Sequence, residues 1–223
     1  MEVIDVDEAG RQLGVSARRV RQLLADGRLH GSQVGQSWAI DPASVERLGD
    51  SGRPIGRPWR PASAWAVLKL AAGDEPDVSP VEHSRARRRL RQHGLVGLVE
   101  RLGPRASVHR LGAHSAAIDR LAADPRVVRG GVSAAGDHDV DLVNDGSFEG
   151  YAPKGAFDDL CERYALDPAA ERPNVVVRVV DDHDWPFAPD QHVAPWPVVA
   201  VDLLEADDER SRRAGRLLME QHS

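Results

Sequence analysis

A stretch rich in glycine, proline and arginine runs from Gly49 to Pro61 and constrains the fold more than any other feature of the sequence. Proline lacks a backbone N–H and glycine is conformationally free, so residues at this density cannot propagate a helix. We therefore expect separate compact units on the two sides of this stretch. A length of 223 residues accommodates two or three such units.

Composition excludes several classes of protein. The chain has no run of about 18 apolar residues, so no membrane span is predicted. Its first residues, Met1 to Asp5, lack the basic and then apolar pattern of a signal peptide. Cys161 is the single cysteine, so we expect neither an internal disulfide nor a cysteine-based zinc site. These features predict a cytoplasmic protein.

Charge is distributed unevenly along the chain. The formal net charge is −6, yet residues 1–110 hold 18 Lys and Arg against 13 Asp and Glu. Residues 111–223 hold 11 basic side chains against 22 acidic ones. Such asymmetry suggests a half that faces nucleic acid and an acidic half with another task.

The first 45 residues have the pattern of two helices and a hairpin. Residues 6–13 predict a short helix that Gly14 ends, and Ser16 is placed to cap a second helix over residues 17–25. That second helix would bury Val20, Leu23 and Leu24. Residues 28–40 alternate apolar and polar positions around Gly35, which predicts a two-stranded hairpin, and Asp41–Pro42 starts a third helix.

This order of elements is that of a winged helix-turn-helix, which binds double-stranded DNA. One helix enters the major groove, where its N-terminal side chains reach base edges, and the hairpin wing follows the phosphates or the minor groove. The candidate DNA-binding residues are Ser16, Arg18, Arg19, Arg21 and Gln22 on the second helix, with Gln36 and Ser37 on the wing. The alternative is a helix-turn-helix that serves only protein contacts.

The same stretch resembles the excisionase and MerR-type DNA-binding domain over about 45 residues. The resemblance rests on Glu8–Ala9, Leu13–Ser16, Arg19–Val20, Leu24, Gly27–Leu29, Val34–Trp38 and Ile40–Asp41. It implies a domain that binds operator DNA.

The Gly/Pro/Arg stretch repeats the tripeptide Gly-Arg-Pro at residues 52–54 and 56–58. Such segments resemble the core of AT-hook minor-groove binders, which makes Arg53 and Arg57 candidate DNA contacts. The match is partial, because Ser51 and Ile55 stand where an arginine usually precedes the glycine. A plain basic linker that strengthens binding through phosphates is the alternative.

Residues 61–103 are predicted to form a helical connector. Within it, Pro80 to His93 carries five arginines, the densest basic run in the chain, and Val81 and Leu90 indicate a packed face. We interpret Arg85, Arg88 and Arg89 as DNA contacts of a second basic helix. The alternative is an exposed arginine-rich helix that pairs with the acidic half.

From residue 106 onward, strand patterns alternate with helix patterns. Strands are predicted at 106–111, 126–128, 140–143, 148–151 and 174–180, and helices at 113–123, 154–164, 195–205 and 208–222. This alternation predicts an α/β or α+β domain. The helix over 154–164 would pack Cys161 as an unreactive thiol on its apolar face.

The C-terminal part resembles the C-terminal domain of the AbiEi-type antitoxins of type IV toxin–antitoxin operons. The resemblance covers roughly residues 60–223 and rests on Arg110–His114, Gly131–Ala135, Glu149–Ala152, Asn174–Val180, Ala200–Leu204 and Asp208–Gly215. It implies an antitoxin and autorepressor whose cognate toxin is nucleotidyltransferase-like. Family members usually carry a winged helix in front, and this chain departs by having an excisionase-like one.

The predicted architecture is therefore an α+β or α/β multidomain protein. Its parts are a winged helix-turn-helix at 1–50, a linker and basic helical connector at 51–105, and a mixed α/β antitoxin-like domain at 106–223. The expected partners are double-stranded operator DNA, on which a dimer could form, and a toxin. A stand-alone regulator, or an antitoxin acting by direct protein binding, is the alternative.

Two segments rich in aspartate and histidine, Asp137–Asp141 and Asp181–Asp184, admit a metal-enzyme alternative because oxygen and imidazole ligands hold divalent ions. Both fall in predicted loops or strand ends, where such side chains are usually solvated. Gly130–Gly131 lacks the lysine and spacing of a phosphate-binding P-loop. We predict no catalytic residue, no metal and no cofactor.

Overall fold

The structure is a computed structural model that describes residues 3–13, 15–25, 29–34, 37–42, 44–45 and 59–222. The chain divides into two compact units, Met1–Arg57 (unit 1) and Pro58–Ser223 (unit 2).

Two helices and two strands predicted for unit 1 are described in the structure. They are α1 (Val6–Leu13), α2 (Ala17–Ala25), β1 (Gly31–Val34) and β2 (Ser37–Ile40). Strands β1 and β2 pair antiparallel, and Ile4 forms a further antiparallel bridge with Ile40. Residues 42 and 44–45 are helical. The apolar core of the unit holds Val6, Ala9, Val20, Leu23, Leu24, Leu29, Ile40 and Val45.

The close approach of α1 to the start of the next segment depends on Gly10. The Val15 N–H donates to the Gly10 carbonyl at 2.9 Å. A Cβ on Gly10 would lie 2.9 Å from the Val15 carbonyl oxygen, so a side chain here would push the turn away. The glycine thus allows α2 to begin only a few residues after α1 ends.

Unit 2 is built of helices around one four-stranded sheet. Its helices are α3 (Pro61–Ala72), α4 (Pro80–His93), α5 (Val99–Leu102), α6 (Ser115–Ala122), α7 (Gly131–Ala134), α8 (Lys154–Tyr164), α9 (Trp196–Leu204) and α10 (Glu209–Gln221). Its strands are β3 (Ser107–Leu111), β4 (Val128–Arg129), β5 (Phe148–Pro153) and β6 (Val175–Val180).

The sheet is mixed, in the order β3-β6-β5-β4, with β5 and β6 parallel and the other two pairs antiparallel. The structure therefore confirms the α+β class. Val175, Val177 and Val179 pack with α6 and α8 on one face. On the other face, Tyr151 and Val180 join a larger cluster that also contains residues of α3, α4, α9 and α10.

Two sequence predictions are wrong. Residues 140–143 form no strand, because Val140 turns back to Ala135 through a backbone hydrogen bond and the next strand begins only at Phe148. Val81 does not face the core, since it is 58% exposed, and Ala86 is the buried residue of α4.

Other predictions fall outside the described residues, among them Gln36, Arg53 and Arg57 with both Gly-Arg-Pro repeats. Within the described ranges, no helix combines the length and the apolar character needed to cross a membrane.

Candidate functional site

Helix α2 begins with a side-chain cap. The Ser16 Oγ accepts a hydrogen bond from the Arg19 backbone N–H at 3.3 Å. This contact satisfies one of the free donors at the start of the helix, as the sequence predicts for a serine at this position. The cap fixes where the helix starts and therefore which side chains point outward.

The outward face of α2 is basic and polar. Arg18, Arg21 and Gln22 are exposed, whereas Val20 and Leu23 on the opposite side are buried. Arg19 is half-buried, and its Nη1 donates to the Gln22 Oε1 at 2.9 Å. The helix thus presents a set of hydrogen-bond donors, together with one glutamine, on a side that the core does not use.

Of the two predicted wing residues, Gln36 lies outside the described part of the chain. Ser37 is the first residue of β2, and the structure describes its backbone only.

A second basic surface lies in unit 2, where Arg85, Arg88 and Arg89 of α4 meet Arg101 of α5; we call these four residues the α4 basic cluster. The Arg89 guanidinium carbon lies 4.4 Å from the centroid of the Trp59 ring, and that of Arg101 lies 5.7 Å from it. The Trp59 ring therefore holds the guanidinium groups of Arg89 and Arg101 close together, although both are positively charged.

The α4 basic cluster concentrates positive charge around Arg89. Burial lowers the pKa of Arg89, and the charges of Arg101, Arg85 and Arg88 lower it further. Among the described residues, none of the four arginines forms an ion pair with a carboxylate. An anion placed here would relieve this repulsion.

A third polar group lies inside unit 2, and sequence reasoning missed it. It consists of Arg105, Glu149, Tyr151, Arg178, Asp202 and Glu205, which we call the buried ion network. Arg105 is only 1% exposed, and its five N–H donors meet the Tyr151 hydroxyl, the Leu102 carbonyl, Asp202 and both oxygens of Glu205 at 2.6–3.1 Å. Burial opposes its charge, but Tyr151, Glu205 and Asp202 raise its pKa well above the ordinary value.

Asp202 is the shared acceptor of the buried ion network. Its Oδ1 accepts from the Tyr151 hydroxyl at 2.6 Å, and its Oδ2 accepts from the Gly131 N–H at 3.1 Å. Burial raises the pKa of Tyr151, so the phenol keeps its proton and remains a donor. Since Asp202 is fully buried, this part of the network holds elements together rather than meeting a substrate.

A sequence signal for the network did exist. Arg178 is the one charged residue within the valine-rich strand β6, and Asp202 is the one charged residue within the apolar helix α9. A charge inside an apolar run is buried only when it is paired. Each residue therefore required an opposite charge on a neighbouring element, although nothing in the sequence identifies which one.

The two Asp/His segments are used in separate contacts. Asp137 pairs with Arg129 at 2.8 Å, and the His138 Nε2 lies 2.8 Å from the Ala194 carbonyl oxygen. Asp181 pairs with Lys154 at 3.0 Å. Within the described ranges, no group of three or more His, Cys, Asp or Glu side chains is arranged to hold a metal ion.

Cys161 packs partly buried on the apolar side of α8, and burial raises the pKa of its thiol. A raised pKa keeps the thiol protonated, and a thiol is a weaker nucleophile than a thiolate.

Comparisons with protein-family models, with curated proteins and with solved structures found no match to this chain. Its function is therefore inferred from its own residues and their geometry.

Proposed function

We propose that the chain is a DNA-binding transcriptional regulator in which α2 enters the major groove of an operator. The observation that carries the proposal is the amphipathic character of α2. Its buried side anchors the helix on the core of unit 1, and its exposed side presents Arg18, Arg21 and Gln22. Arginine pairs with guanine and glutamine with adenine through two hydrogen bonds each, which suits this surface to reading base edges.

The order of elements supports the same proposal. Two helices with a short connection, followed by the β1–β2 hairpin and a helical segment at 42 and 44–45, follow the order of a winged helix-turn-helix. Residues 1–57 contain eight basic and eight acidic side chains, so the unit as a whole is neutral. Binding would therefore depend on the local concentration of arginine on α2.

The α4 basic cluster is proposed as a phosphate-binding surface. Its arginines make no ion pair within the described residues, and phosphate contacts contribute affinity without sequence preference. The guanidinium of Arg89 is held against the Trp59 ring, so Arg89 would attract a phosphate through its charge from a fixed position.

We further propose that the regulator is the antitoxin and autorepressor of a type IV toxin–antitoxin operon. The support is the resemblance of unit 2 to AbiEi-type antitoxins, together with one observation from the fold. Residues from four of the segments that carry the resemblance, Gly131, Glu149–Tyr151, Arg178 and Asp202, lie in or directly contact the buried ion network. Co-expression with a neighbouring nucleotidyltransferase-like gene product tests this role: the antitoxin should restore growth, and continued growth arrest would contradict it.

DNA binding is tested with a fluorescent duplex from the region upstream of the chain's own gene. Replacing Arg18 or Arg19 by alanine should weaken specific binding about tenfold or more, since one bidentate arginine–guanine pair is worth about 1–3 kcal/mol. Arg120→Ala is the matched control, because Arg120 is an exposed arginine on α6 in the other unit. Unchanged affinity in both α2 variants would exclude α2 as the reading helix.

A further inference from the structure

A groove with side chains of both signs lies on the sheet of unit 2, at the edge of the buried ion network. Its volume is about 370 Å³, within the range of sites for small molecules. Strands β3, β5 and β6 form its floor, and the turn between α9 and α10 forms one wall.

Strand register places opposite charges on the two sides of an apolar floor. Val176 is paired with Arg110 of β3 on one side and with Glu149 of β5 on the other. Neighbouring strands lie about 4.8 Å apart, so the α-carbons of Arg110 and Glu149 are about 10 Å apart across Val176. Val108 extends the apolar floor beside Arg178 in the next row.

Arg178 is buried without enough acceptors. Its side chain is only 6% exposed; its Nη1 donates to the Glu149 Oε2 at 3.3 Å. Its Nε lies 3.3 Å from the Asp202 Oδ1, yet the geometry forms no hydrogen bond, and no other described atom accepts from it. A buried guanidinium has five donors, so this one has more capacity than its neighbours use.

The other charged side chains of the groove differ in how exposed they are to a ligand. Glu149 is 14% exposed, and burial raises the pKa of its carboxyl. Arg110 is 54% exposed and pairs at 3.2 Å with Asp207, which is 87% exposed. Exposed pairs contribute little stability, so a ligand could replace Asp207 as the partner of Arg110 at small cost.

We propose that this groove binds a free amino acid, with the ligand carboxylate between Arg110 and Arg178 and its ammonium group on Glu149. A simple anion would meet the carboxylates of the groove, and a simple cation would meet its guanidinium groups, whereas a zwitterion matches both. Val108 and Val176 favour an aliphatic body on the ligand. Ligand binding in this groove involves unit 2 alone and does not require DNA binding by α2.

Equilibrium dialysis of the full chain against each of the twenty standard amino acids, radiolabelled and at up to millimolar concentration, tests the proposal. We expect binding of at least one aliphatic amino acid. Unlabelled analogues of that amino acid without the amino group, or without the carboxylate, should compete at least tenfold less well. Glu149→Gln and Arg110→Ala should each weaken binding about tenfold or more, because each removes a charged hydrogen-bond partner.

Arg120→Ala, outside the groove, is the control and should bind as the wild type does. Arg110 is exposed, so its variant is expected to fold and decides the test even if Glu149→Gln does not fold. Absence of binding by all twenty amino acids overturns the proposal. So does binding that both groove variants retain, or equal competition by an analogue that carries only one charge.

Discussion

Asp202 illustrates how unit 2 accommodates a charged side chain in its core. It accepts hydrogen bonds from Arg105, Tyr151 and the Gly131 backbone, and it is fully buried. Removing one partner of a buried pair is costly because the remaining charge stays desolvated.

Replacement of Asp202 by asparagine should lower the free energy of unfolding by about 3 kcal/mol or more, since Arg105 and Arg178 would lose a shared counter-charge. The matched control is Asp207→Asn at an exposed ion pair, where we expect about 1 kcal/mol or less. Urea unfolding of both variants measures the difference. Equal losses of unfolding free energy in the two variants would show that burial does not determine how much each carboxylate contributes to stability.

Glu149 is expected to make stability depend on pH. Burial raises the pKa of its carboxyl in the folded protein above the ordinary value. At a pH between the unfolded-state and folded-state pKa values, the folded protein therefore keeps a proton on Glu149 that the unfolded chain has released. This contribution is complete below the unfolded-state pKa and is lost as the pH rises through the folded-state pKa.

Glu149→Gln removes that titration. As the pH rises from the unfolded-state to the folded-state pKa of Glu149, the unfolding free energy of the wild type should fall relative to that of the variant. Urea titrations at successive pH values measure this difference. Parallel pH curves for the two proteins would mean that Glu149 ionises equally in both states.

The start of helix α7 depends on a glycine. Gly131 has φ +45°, and a Cβ there would overlap the Glu149 carboxylate. This close approach brings the Gly131 N–H to Asp202 and so ties α7 to α9.

We expect Gly131→Ala to lower the free energy of unfolding by about 2 kcal/mol or more, because a left-handed backbone and a steric overlap both oppose the methyl group. Gly136→Ala is the control: apart from the adjoining backbone, no described atom lies within 4 Å of the added Cβ, and a change within about 0.5 kcal/mol is expected there. Thermal or urea unfolding separates the two cases. A tolerated Gly131→Ala would mean that this turn can relax.

Most elements could be predicted from the sequence because their patterns are local. The cap at Ser16 and the apolar face with Val20 and Leu23 define α2, and the valine run defines β6. The prediction of a strand at residues 140–143 rested on three apolar residues around one aspartate. It is wrong because a strand also needs a neighbouring strand to pair with, which the sequence does not show. The partners within the buried ion network were unpredictable for the same reason, since Arg105 and Asp202 are 97 residues apart.

Basic side chains in the two units are proposed to act on DNA in different ways. Arg88 lies in the α4 basic cluster of unit 2, where its charge contributes to lowering the pKa of Arg89. Arg88→Ala should weaken binding uniformly across DNA sequences and reduce the salt dependence by about one phosphate contact. Anisotropy titrations at several salt concentrations measure this slope. A change in sequence preference would contradict the assignment of Arg88 to phosphate.

Selection from a random duplex library by the full chain tests whether α2 reads DNA sequence. We expect the wild type and Arg120→Ala to enrich the same sequence motif, and Arg18→Ala to lose the preference at one or more positions of that motif. Enrichment of no motif by the wild type, or of an unchanged motif by Arg18→Ala and Arg19→Ala alike, would contradict sequence reading by α2.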